Sequence, residues 1–485
     1  MKRIILFSLS LLLFAFPCIA SENAEKVTDQ PNIVVILCDD LGYGDLGAYG
    51  HPIIDSPNLD KMAKKGILLT DCYSAAPVCS PSRAGLLTGR SPNRAGFYDF
   101  IPSPKRSEDC RDLVHLQKHE ETIPAMLKAA GYATCLSGKW HCSSKFNSEE
   151  QPKPGYFGFD HWFATHNNAA PSHANPKNFV RNGEHIGELQ GYSSQIVVNE
   201  AIDWLDKKPA NQPFYLQVTF HEPHEPLASP EKLVKKYLPK AENENQAEYF
   251  ANVENMDRAV GRLVEYLKSN KLDNTLIFFS SDNGPETLMR YSRAKHSYGS
   301  PGKLKGMKLW TNEAGFRVPG ILYWMGQKTF KGSSEAVISS LDLMPTFAEL
   351  SGAKLPERYL DGESFADFLK TGKKDRQKPL VWAFYDAINQ HRVAMRTNEW
   401  KILATLKVEG ETLEKLHNLY DGNISHVKNA KLTDFELYNI RNDIGETENV
   451  ASKNPEQFET LKKQLVKEYE ALLDGSHIWS REKEI

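Results

Sequence analysis

The sequence predicts an α/β protein in which a mainly parallel sheet is flanked by helices and followed by a smaller C-terminal α+β domain. Four short apolar runs stop abruptly at polar residues, and they are residues 32–37, 132–137, 214–220 and 275–281. Runs of this length that are apolar on both faces are typical of buried parallel strands. Segments with helical periodicity lie between them, and the clearest runs from about Gln246 to Leu267. Strands that alternate with helices in this way indicate a parallel sheet.

The composition is that of a folded globular protein. Of 485 residues, 40 % are hydrophobic and 25 % are charged, which is ordinary for a domain with a sizeable core. The 59 basic and 62 acidic side chains give a net charge of −3. Because no strongly basic run occurs, nothing in the composition favours a nucleic-acid partner.

The first residues, MKRIILFSLSLLLFAFPCIA, have a basic start, an apolar middle and small residues at the end. This pattern predicts a signal peptide over residues 1–20 that is cleaved after Ala20. The alternative is an uncleaved membrane anchor, but the apolar stretch is short for crossing a bilayer. We therefore expect an exported protein, periplasmic or secreted, with no membrane attachment after cleavage. The six cysteines that remain are too few for a disulfide scaffold, and their pairing cannot be derived from the sequence.

The pattern changes beyond residue 352, where a polar and charged stretch over 369–379 reads as a linker or surface loop. Short strand-like pieces follow at 380–385, 392–397 and 400–408, and a helix is predicted over about 455–472. The sequence therefore predicts a larger domain over residues 21–372. Residues 373–485 are predicted to form an α+β domain with a small antiparallel sheet and a terminal helix.

Carboxylates stand at the ends of two predicted strands. Asp39 and Asp40 end the first strand, and Asp282 with Asn283 ends a strand much later in the chain. Either pair alone could be turn residues after a strand. Because the carboxyl ends of parallel strands gather at one edge of the sheet, the two pairs should meet. Hard oxygen donors of this kind favour calcium or magnesium over zinc.

Basic side chains follow the other two strands. Lys139 and His141 come after one strand, and His221 and His224 come after the next. Histidine exchanges a proton near neutral pH, and lysine binds an anion as a point charge. A lone loop histidine is more often structural than catalytic, and we keep that interpretation for His221. A metal, lysines (including Lys308) and histidines in one cleft indicate an anionic ester as substrate.

A set of ordered motifs carries a resemblance to a known family. Cys79-Ser80-Pro81-Ser82-Arg83, followed by Leu87-Thr88-Gly89-Arg90, matches the Cys-x-Pro-x-Arg signature of the formylglycine-dependent sulfatases. The match continues through DDLGYGDLGAYG, GKWH, PHEP, SDNG and KLWTNEAGFRVP, in the order of the family. The chain therefore resembles a type I sulfatase, most of all the glycosaminoglycan and polysaccharide sulfatases related to N-acetylgalactosamine-6-sulfatase. The resemblance implies an alkaline-phosphatase-like fold.

The resemblance also implies how the chemistry works. In the family a maturation enzyme reads the signature and oxidises the cysteine, here Cys79, to 3-oxoalanine (formylglycine). One hydroxyl of the hydrated aldehyde attacks sulfur, and deprotonation of the other then releases sulfate, which is covalent catalysis with a built-in route of release. One calcium ion is implied, held by Asp39, Asp40, Asp282 and Asn283 and by the formylglycine derived from Cys79.

The remaining family roles fall on five residues of this sequence. Arg83 would steady the hydrated aldehyde, and Lys139 and Lys308 would hold sulfate oxygens. His141 would deprotonate the second hydroxyl, and His224 would protonate the leaving alcohol.

The resemblance implies the substrate in less detail than the site residues. An exported enzyme from this part of the family suggests a sulfated galactose or N-acetylgalactosamine unit of a polysaccharide or glycosaminoglycan. Residues 164–183 are polar and loop-like, and His166, Asn167, His173 and Asn175 are candidates for contacts with sugar hydroxyls. A plain surface loop is an equally open interpretation of this segment.

Two other functions are alternatives to a sulfatase. The first is a phosphatase or phosphodiesterase of the same superfamily, which would use a serine or threonine nucleophile and two metal ions with histidine ligands. Asn283 stands where such a histidine would follow the aspartate. The second is a non-catalytic glycan-binding protein on a sulfatase scaffold, which the loss of a nucleophile, ligand or histidine would support. None of these residues is missing.

Overall fold

The computed structural model describes residues 30–102, 105–288 and 295–484. The predicted signal peptide, residues 1–20, lies outside the described residues.

The larger sheet has eleven strands. They are β1 (Asn32–Cys38), β2 (Ile67–Tyr73), β3 (Ala133–Lys139), β4 (His161–Thr165), β5 (Val180–Arg181), β6 (Glu184–His185), β7 (Phe214–Thr219), β8 (Thr275–Ser281), β9 (Arg317–Trp324), β10 (Gly332–Ser334) and β11 (Ile338–Ser339). Their order is β10-β2-β9-β8-β1-β7-β3-β4-β5-β6, and β11 also pairs with β2. The central strands β8, β1, β7, β3 and β4 are all parallel to their neighbours within this group. The predicted mainly parallel sheet is confirmed.

Helices cover both faces of this sheet and continue into the C-terminal part. They are α1 (Pro57–Lys65), α2 (Cys79–Thr88), α3 (Ile123–Ala129), α4 (Ser193–Lys207), α5 (Glu231–Tyr237), α6 (Glu244–Ser269), α7 (Glu313–Phe316), α8 (Leu343–Ser351), α9 (Ala366–Thr371), α10 (Ile424–Asn429) and α11 (Pro455–Asp474). Alternate residues of β1 enter two separate apolar clusters, with Ile33 and Val35 in one and Val34 and Ile36 in the other. Burial on both faces is the reason why this strand is apolar throughout.

The smaller sheet has five strands. They are β12 (Leu380–Ala383), β13 (Val393–Arg396), β14 (Trp400–Val408), β15 (Glu411–Thr412) and β16 (Lys431–Asn439). All of its pairings are antiparallel. Leu461 and Leu465 of α11 belong to the same apolar cluster as Ile402 of β14, so the terminal helix packs on this sheet. A smaller C-terminal sheet domain is thus confirmed, whereas the boundary between residues 372 and 373 stays a prediction.

A buried network of ionised side chains joins the two sheets, and we call it the interface network. Its carboxylates are Asp71, Glu313 and Glu446, and its cations are Arg317, Arg396 and Lys401. Each cation except Arg396 lies between two carboxylates: Nζ of Lys401 is 3.0 Å from Oε1 of Glu313 and 2.9 Å from Oε1 of Glu446. Arg317 joins Asp71 to Glu313 at 3.0 and 3.1 Å. Its members come from both domains, so the network ties β2, α7 and the start of β9 to the small sheet.

All six cysteines of the described residues are buried and none forms a disulfide. Within residues 30–102, 105–288 and 295–484, no helix has both the length and the apolar character needed to cross a membrane.

Candidate active site

Four strand ends meet at one edge of the larger sheet, as the sequence predicts. Strands β8, β1, β7 and β3 are neighbours in that order, and each leads at its carboxyl end into one of the polar clusters. The backbone confirms the convergence, because the N–H of Asp39 donates to the carbonyl of Glu222 at 3.1 Å and that of Asp282 donates to the carbonyl of Cys38 at 3.0 Å. The pairs that are far apart in the chain are therefore adjacent in space.

Three carboxylates at this edge face one another, and each forms its shortest ion pair with a different cation. One oxygen from each of Asp39, Asp40 and Asp282 lies within 4.8 Å of the others. The cations are bonded as follows: Nζ of Lys139 is 2.6 Å from Asp39, Nζ of Lys308 is 2.7 Å from Asp40, and Nε of Arg83 is 2.8 Å from Asp282. We call these six side chains the site network. All of them are buried.

The crowded carboxylates have pKa values that are shifted in opposite directions. Burial acts to raise the pKa of Asp39, but Lys139, His224 and Arg83 outweigh it and hold that pKa well below its usual range. The pKa of Asp282 is raised to about 7, because burial and the charges of Asp39 and Asp40 exceed the attraction of Arg83. A carboxylate that is hard to ionise beside two others marks a place where an additional positive charge would be stabilised.

The oxygen atoms of this cluster fit a divalent cation. Oδ1 of Asp39 and Oδ1 of Asn283 are buried and have no hydrogen-bond partner among the described residues. Nδ2 of Asn283 donates to Oδ1 of Asp40 at 2.7 Å, so its amide lies against the carboxylates. Three carboxylates and an amide oxygen are the ligands that calcium and magnesium prefer. The predicted ligands Asp39, Asp40, Asp282 and Asn283 are therefore together, and they fit such an ion.

Cys79 is the first residue of α2, and Arg83 lies one turn further along the same helix. Side chains four residues apart share a helix face, which explains why the signature places the cysteine and the arginine at this spacing. Burial raises the pKa of the Cys79 thiol, although Lys139 and Lys308 act to lower it. The unmodified side chain is therefore a thiol at neutral pH and a poor nucleophile.

His141 is held in one tautomer by its surroundings. Its Nε2 lies 3.0 Å from the carbonyl oxygen of Ile101, and a carbonyl can only accept, so Nε2 carries the proton. Nδ1 then has the lone pair, and it is buried without a partner among the described residues. Burial, with the charge of Lys139, holds the pKa of His141 well below its usual range. The ring is therefore neutral and able to accept a proton at Nδ1.

His224 is half-buried and faces the carboxylates. Its Nε2 lies 3.6 Å from Oδ2 of Asp40, and its Nδ1 is 2.5 Å from the carbonyl oxygen of Glu225. Burial lowers the pKa of His224 to about 4, against the opposing effect of Asp40. His221 differs, because it is fully buried and its Nε2 lies 2.8 Å from the hydroxyl of Thr165. This position agrees with the structural role that we expected for His221.

The four residues predicted to contact sugar differ in their burial and in their contacts. His166 is partly buried, and its ring centroid is 5.6 Å from that of His141 in an edge-to-face arrangement. Asn167 is its partly buried neighbour. His173 is fully buried, and its Nδ1 lies 3.2 Å from Nδ2 of Asn252. Asn175 is exposed, and its side chain accepts from the N–H of Gly191 at 2.8 Å. Their contact with substrate stays a prediction.

The C-terminal domain contacts the loop that carries Lys308, and the sequence analysis did not predict these contacts. The N–H of Ile388 donates to the carbonyl of Leu309 at 2.9 Å, and Nδ2 of Asn389 donates to the hydroxyl of Thr311 at 2.8 Å. Leu309 has a φ of 66°, an uncommon conformation for a branched side chain, so the loop that carries Lys308 needs this support. No local pattern marks Ile388 or Asn389, because the pairing joins segments about eighty positions apart in sequence.

Known proteins resemble this chain over most of its length. A family model described as Sulfatase matches residues 31–353, and one described as N-sulphoglucosamine sulphohydrolase, C-terminal, matches residues 307–423. Human arylsulfatase A is 33 % identical over 476 residues, which are 91 % of this chain and 88 % of that protein. Human N-acetylgalactosamine-6-sulfatase is 31 % identical over 404 residues, which are 78 % of this chain and 74 % of that protein.

A solved structure shows the same architecture. The crystal structure of Ps i-CgsB in complex with k-i-k-neocarrahexaose superposes with a TM-score of 0.74 at 30 % identity, covering 92 % of this chain and 94 % of that one. Fold, site and relatives together define a sulfuric ester hydrolase. The chain belongs to the sulfatase family. This assignment decides against the phosphatase and the non-catalytic glycan-binding protein.

Proposed function

We propose that this enzyme hydrolyses sulfate esters of a sulfated carbohydrate, using formylglycine formed from Cys79 and one bound calcium ion. The observation that carries the proposal is the position of Cys79 at the start of a buried helix, beside three carboxylates and three cations. The substrate class is a sulfated galactose or N-acetylgalactosamine unit, and the name of the relative N-acetylgalactosamine-6-sulfatase supports the second of these sugars.

The ligands of the ion would be Asp39, Asp40, Asp282 and Asn283, with the modified side chain at position 79. The bound ion would supply positive charge that stabilises the negative charge developing on sulfate oxygens. The hydrated aldehyde would supply two hydroxyls on one carbon, one for attack on sulfur and one whose deprotonation releases sulfate.

The cations of the site network would bind and orient the sulfate group. Nζ of Lys139 is paired with Asp39, and Nζ of Lys308 is paired with Asp40. Both are point charges that can bind sulfate oxygens. The N-terminal end of α2 adds the partial positive charge of its free N–H groups. Arg83 is fixed by Asp282 and by the carbonyl of Lys139, so it would hold the side chain at position 79 in one orientation.

The two histidines would move protons in opposite directions. His141 is neutral with its lone pair on Nδ1, so it is suited to accept the proton of the second hydroxyl. His224 has to be protonated to act as an acid, and its pKa of about 4 is too low in the free protein. The negative charge of a bound sulfate ester would raise this pKa, so that His224 becomes the acid only when substrate is present.

The modification of Cys79 is tested by the mass of the proteolytic peptide that contains it. Protein made together with a formylglycine-generating enzyme should lose one sulfur and two hydrogens from this peptide and gain one oxygen. A peptide that keeps its thiol under these conditions would contradict the proposal.

The substrate class is tested on the same protein with a panel of sulfated galactosides, galactosaminides and glucosamines together with aryl sulfates. Cleavage of only glucosamine or aryl sulfates would contradict the substrate class.

Calcium is tested by thermal unfolding of the protein with and without the ion. After chelation, added calcium should raise the unfolding midpoint, because an ion that binds only the folded state stabilises it by about 2.7 kcal/mol at a hundred times its dissociation constant. The matched control is Asp282→Asn, in which the shift should be lost or much reduced. An equal shift in both proteins would show that calcium binds elsewhere.

Export is proposed from the pattern of residues 1–20. N-terminal sequencing of protein recovered outside the cytoplasm should begin directly after Ala20. A chain that keeps Met1 at its N-terminus would contradict this proposal.

A further inference from the structure

A second cluster of ionisable side chains lies outside the site network, and we call it the Asp99 cluster. It consists of Asp99, Asp386 and His417, which come from three distant parts of the chain. Nδ1 of His417 is 2.9 Å from Oδ2 of Asp99 and 3.4 Å from Oδ2 of Asp386. One imidazole thus bridges a carboxylate of the large domain and a carboxylate of the small one.

The cluster is adjacent to the catalytic centre through its immediate chain neighbours. Phe100 follows Asp99, and Ala387 follows Asp386. Both pack in the small apolar cluster that also contains Cys79. Two residues beyond Asp99, the carbonyl of Ile101 lies 3.0 Å from Nε2 of His141. Through these neighbours the Asp99 cluster borders the apolar cluster that contains Cys79, with Asp386 and His417 contributed by the C-terminal domain.

Burial within the cluster is graded, so that one end is closed and the other is open. The side chain of Asp99 is fully buried, that of Asp386 is 12 % exposed and that of His417 is 42 % exposed. Oδ1 of Asp99 is buried without a hydrogen-bond partner among the described residues. A buried carboxylate oxygen without a partner is costly and uncommon, so it requires an explanation, and a bound ligand is one.

The geometry also fixes which atoms can meet a ligand. Since Nδ1 of His417 faces the two carboxylates, Nε2 on the far edge of the ring points away from them. The hydrogen bonds to Asp386 and Asp99 raise the pKa of His417 to about 10, so Nε2 carries a proton at neutral pH. Arg111, with Nη1 3.9 Å from Oδ2 of Asp99, offsets part of the remaining negative charge. The open end therefore offers a donor from His417 beside an acceptor from Asp386.

We propose that the Asp99 cluster binds the hydroxyl groups of the sugar that carries the scissile sulfate ester. His417 donates to one sugar oxygen, Asp386 accepts from a hydroxyl, and Asp99 is a positioning residue that holds the imidazole. A hydroxyl both donates and accepts, so a paired donor and acceptor match adjacent hydroxyls of a pyranose ring. The inference rests on the proposed function, because it assigns the sugar-binding side of that same site.

The test compares a sugar substrate with one that has no sugar. The sugar substrate is the sulfated monosaccharide that the wild-type enzyme hydrolyses fastest among galactose, N-acetylgalactosamine and glucosamine sulfates. The other is 4-nitrocatechol sulfate. Loss of a hydrogen bond to a charged group should lower kcat/KM of Asp386→Asn on the sugar by about 10- to 100-fold, mainly through KM. His417→Gln should behave alike, and both variants should hydrolyse the aryl sulfate at close to the wild-type rate.

The control variant is His426→Gln, which changes an exposed histidine of the same domain and should leave both substrates unaffected. An equal loss on both substrates, or no loss on either, would overturn the inference. A wild-type enzyme that hydrolyses the aryl sulfate and no sugar sulfate would overturn it together with the carbohydrate substrate class. In that case the mass of the Cys79 peptide would still decide the proposed chemistry separately.

Discussion

The site network and the interface network contain the same charges in different arrangements. Each holds three buried carboxylates and three buried cations. In the interface network Lys401 and Arg317 lie between carboxylates, and the pKa of Glu313 is lowered to about 2, because Lys401 and Arg317 outweigh its burial. Burial and the charge of Glu313 raise the pKa of Glu446 in the same network. In the site network one oxygen of each of the three carboxylates lies within 4.8 Å of the others, although Arg83 reaches both Asp282 and Asp39. The pKa of Asp282 is raised to about 7 by burial and by its neighbours.

The different arrangement of charges assigns the two networks to different roles, one in stability and one in catalysis. A cation between two carboxylates opposes the repulsion between them, so such a group has less need of a further positive charge. Carboxylates that face one another remain unfavourable until a further positive charge arrives, which suits a metal site. Substitutions in the site network should therefore reduce activity first, and substitutions in the interface network should reduce stability first.

The largest effect is expected at Cys79, where the site network meets the proposed nucleophile. Cys79→Ala should lower kcat by at least about 10⁴-fold, as removal of a covalent nucleophile typically does. Its thermal unfolding midpoint should stay close to that of the wild type, because the change removes only the polar end of one small side chain. The measurement is kcat on the fastest substrate beside a thermal melt, and a variant that keeps a tenth of the activity would exclude Cys79 as the precursor of the nucleophile.

The next effect is expected in the interface network. Lys401→Met leaves Glu313 and Glu446 without the cation between them, which should lower the free energy of unfolding by about 3–5 kcal/mol. Denaturant unfolding measures this loss, and kcat per folded molecule should remain near that of the wild type.

The matched control is the exposed pair Lys354 and Glu357, whose side chains are each 81 % exposed. Lys354→Met should change the unfolding free energy by less than about 1 kcal/mol, since exposed pairs contribute little. If Lys401→Met were as mild as Lys354→Met, the interface network would not be the stabilising one of the two.

A smaller effect is expected from a single carboxylate of the site network. Asp282→Asn should lower kcat/KM by about 10²- to 10³-fold, the size of loss that follows removal of one electrostatic stabiliser. Without calcium it should destabilise the fold less than Lys401→Met does, because loss of the ion pair with Arg83 is offset by relief of the repulsion among three carboxylates. Chemical denaturation of chelated protein checks this, and a loss of several kcal/mol would show that the two networks do not differ in kind.

The smallest effect concerns pH and the half-exposed Asp99 cluster. The folded-state pKa of His417, about 10, is above that of an unfolded histidine. Its contribution to stability is therefore fully present below about pH 6.5 and is lost as the pH rises through about 10. Because 42 % of the side chain is exposed, solvent screening should limit the contribution of His417 to the free energy of unfolding to about 1–2 kcal/mol.

The measurement is the difference in unfolding free energy between the wild type and His417→Gln across this pH range. The difference should shrink toward high pH. A difference that is constant with pH would mean that the ion pairs of His417 do not stabilise the folded protein.

Much of the architecture could be predicted from the sequence, because the central strands are buried on both faces. The predicted strand over 275–281 coincides with β8, and the helix predicted from about Gln246 to Leu267 is the interior of α6. Strand β9 was not predicted, since Pro319 and Gly320 interrupt its apolar pattern. Gly320 is required there by packing, as a Cβ would lie 2.6 Å from Sγ of Cys72.

The sequence by itself determined the residue types of the catalytic centre and their places at the ends of strands. Local order suffices for this, because a carboxylate after a parallel strand can only emerge at one edge of the sheet. Only the tertiary structure decided which cation binds which carboxylate, how His141 is held by Ile101, and that Asp99, Asp386 and His417 meet. These contacts join segments tens to hundreds of positions apart, and no periodicity or motif encodes the distance between atoms that only the packed chain brings together.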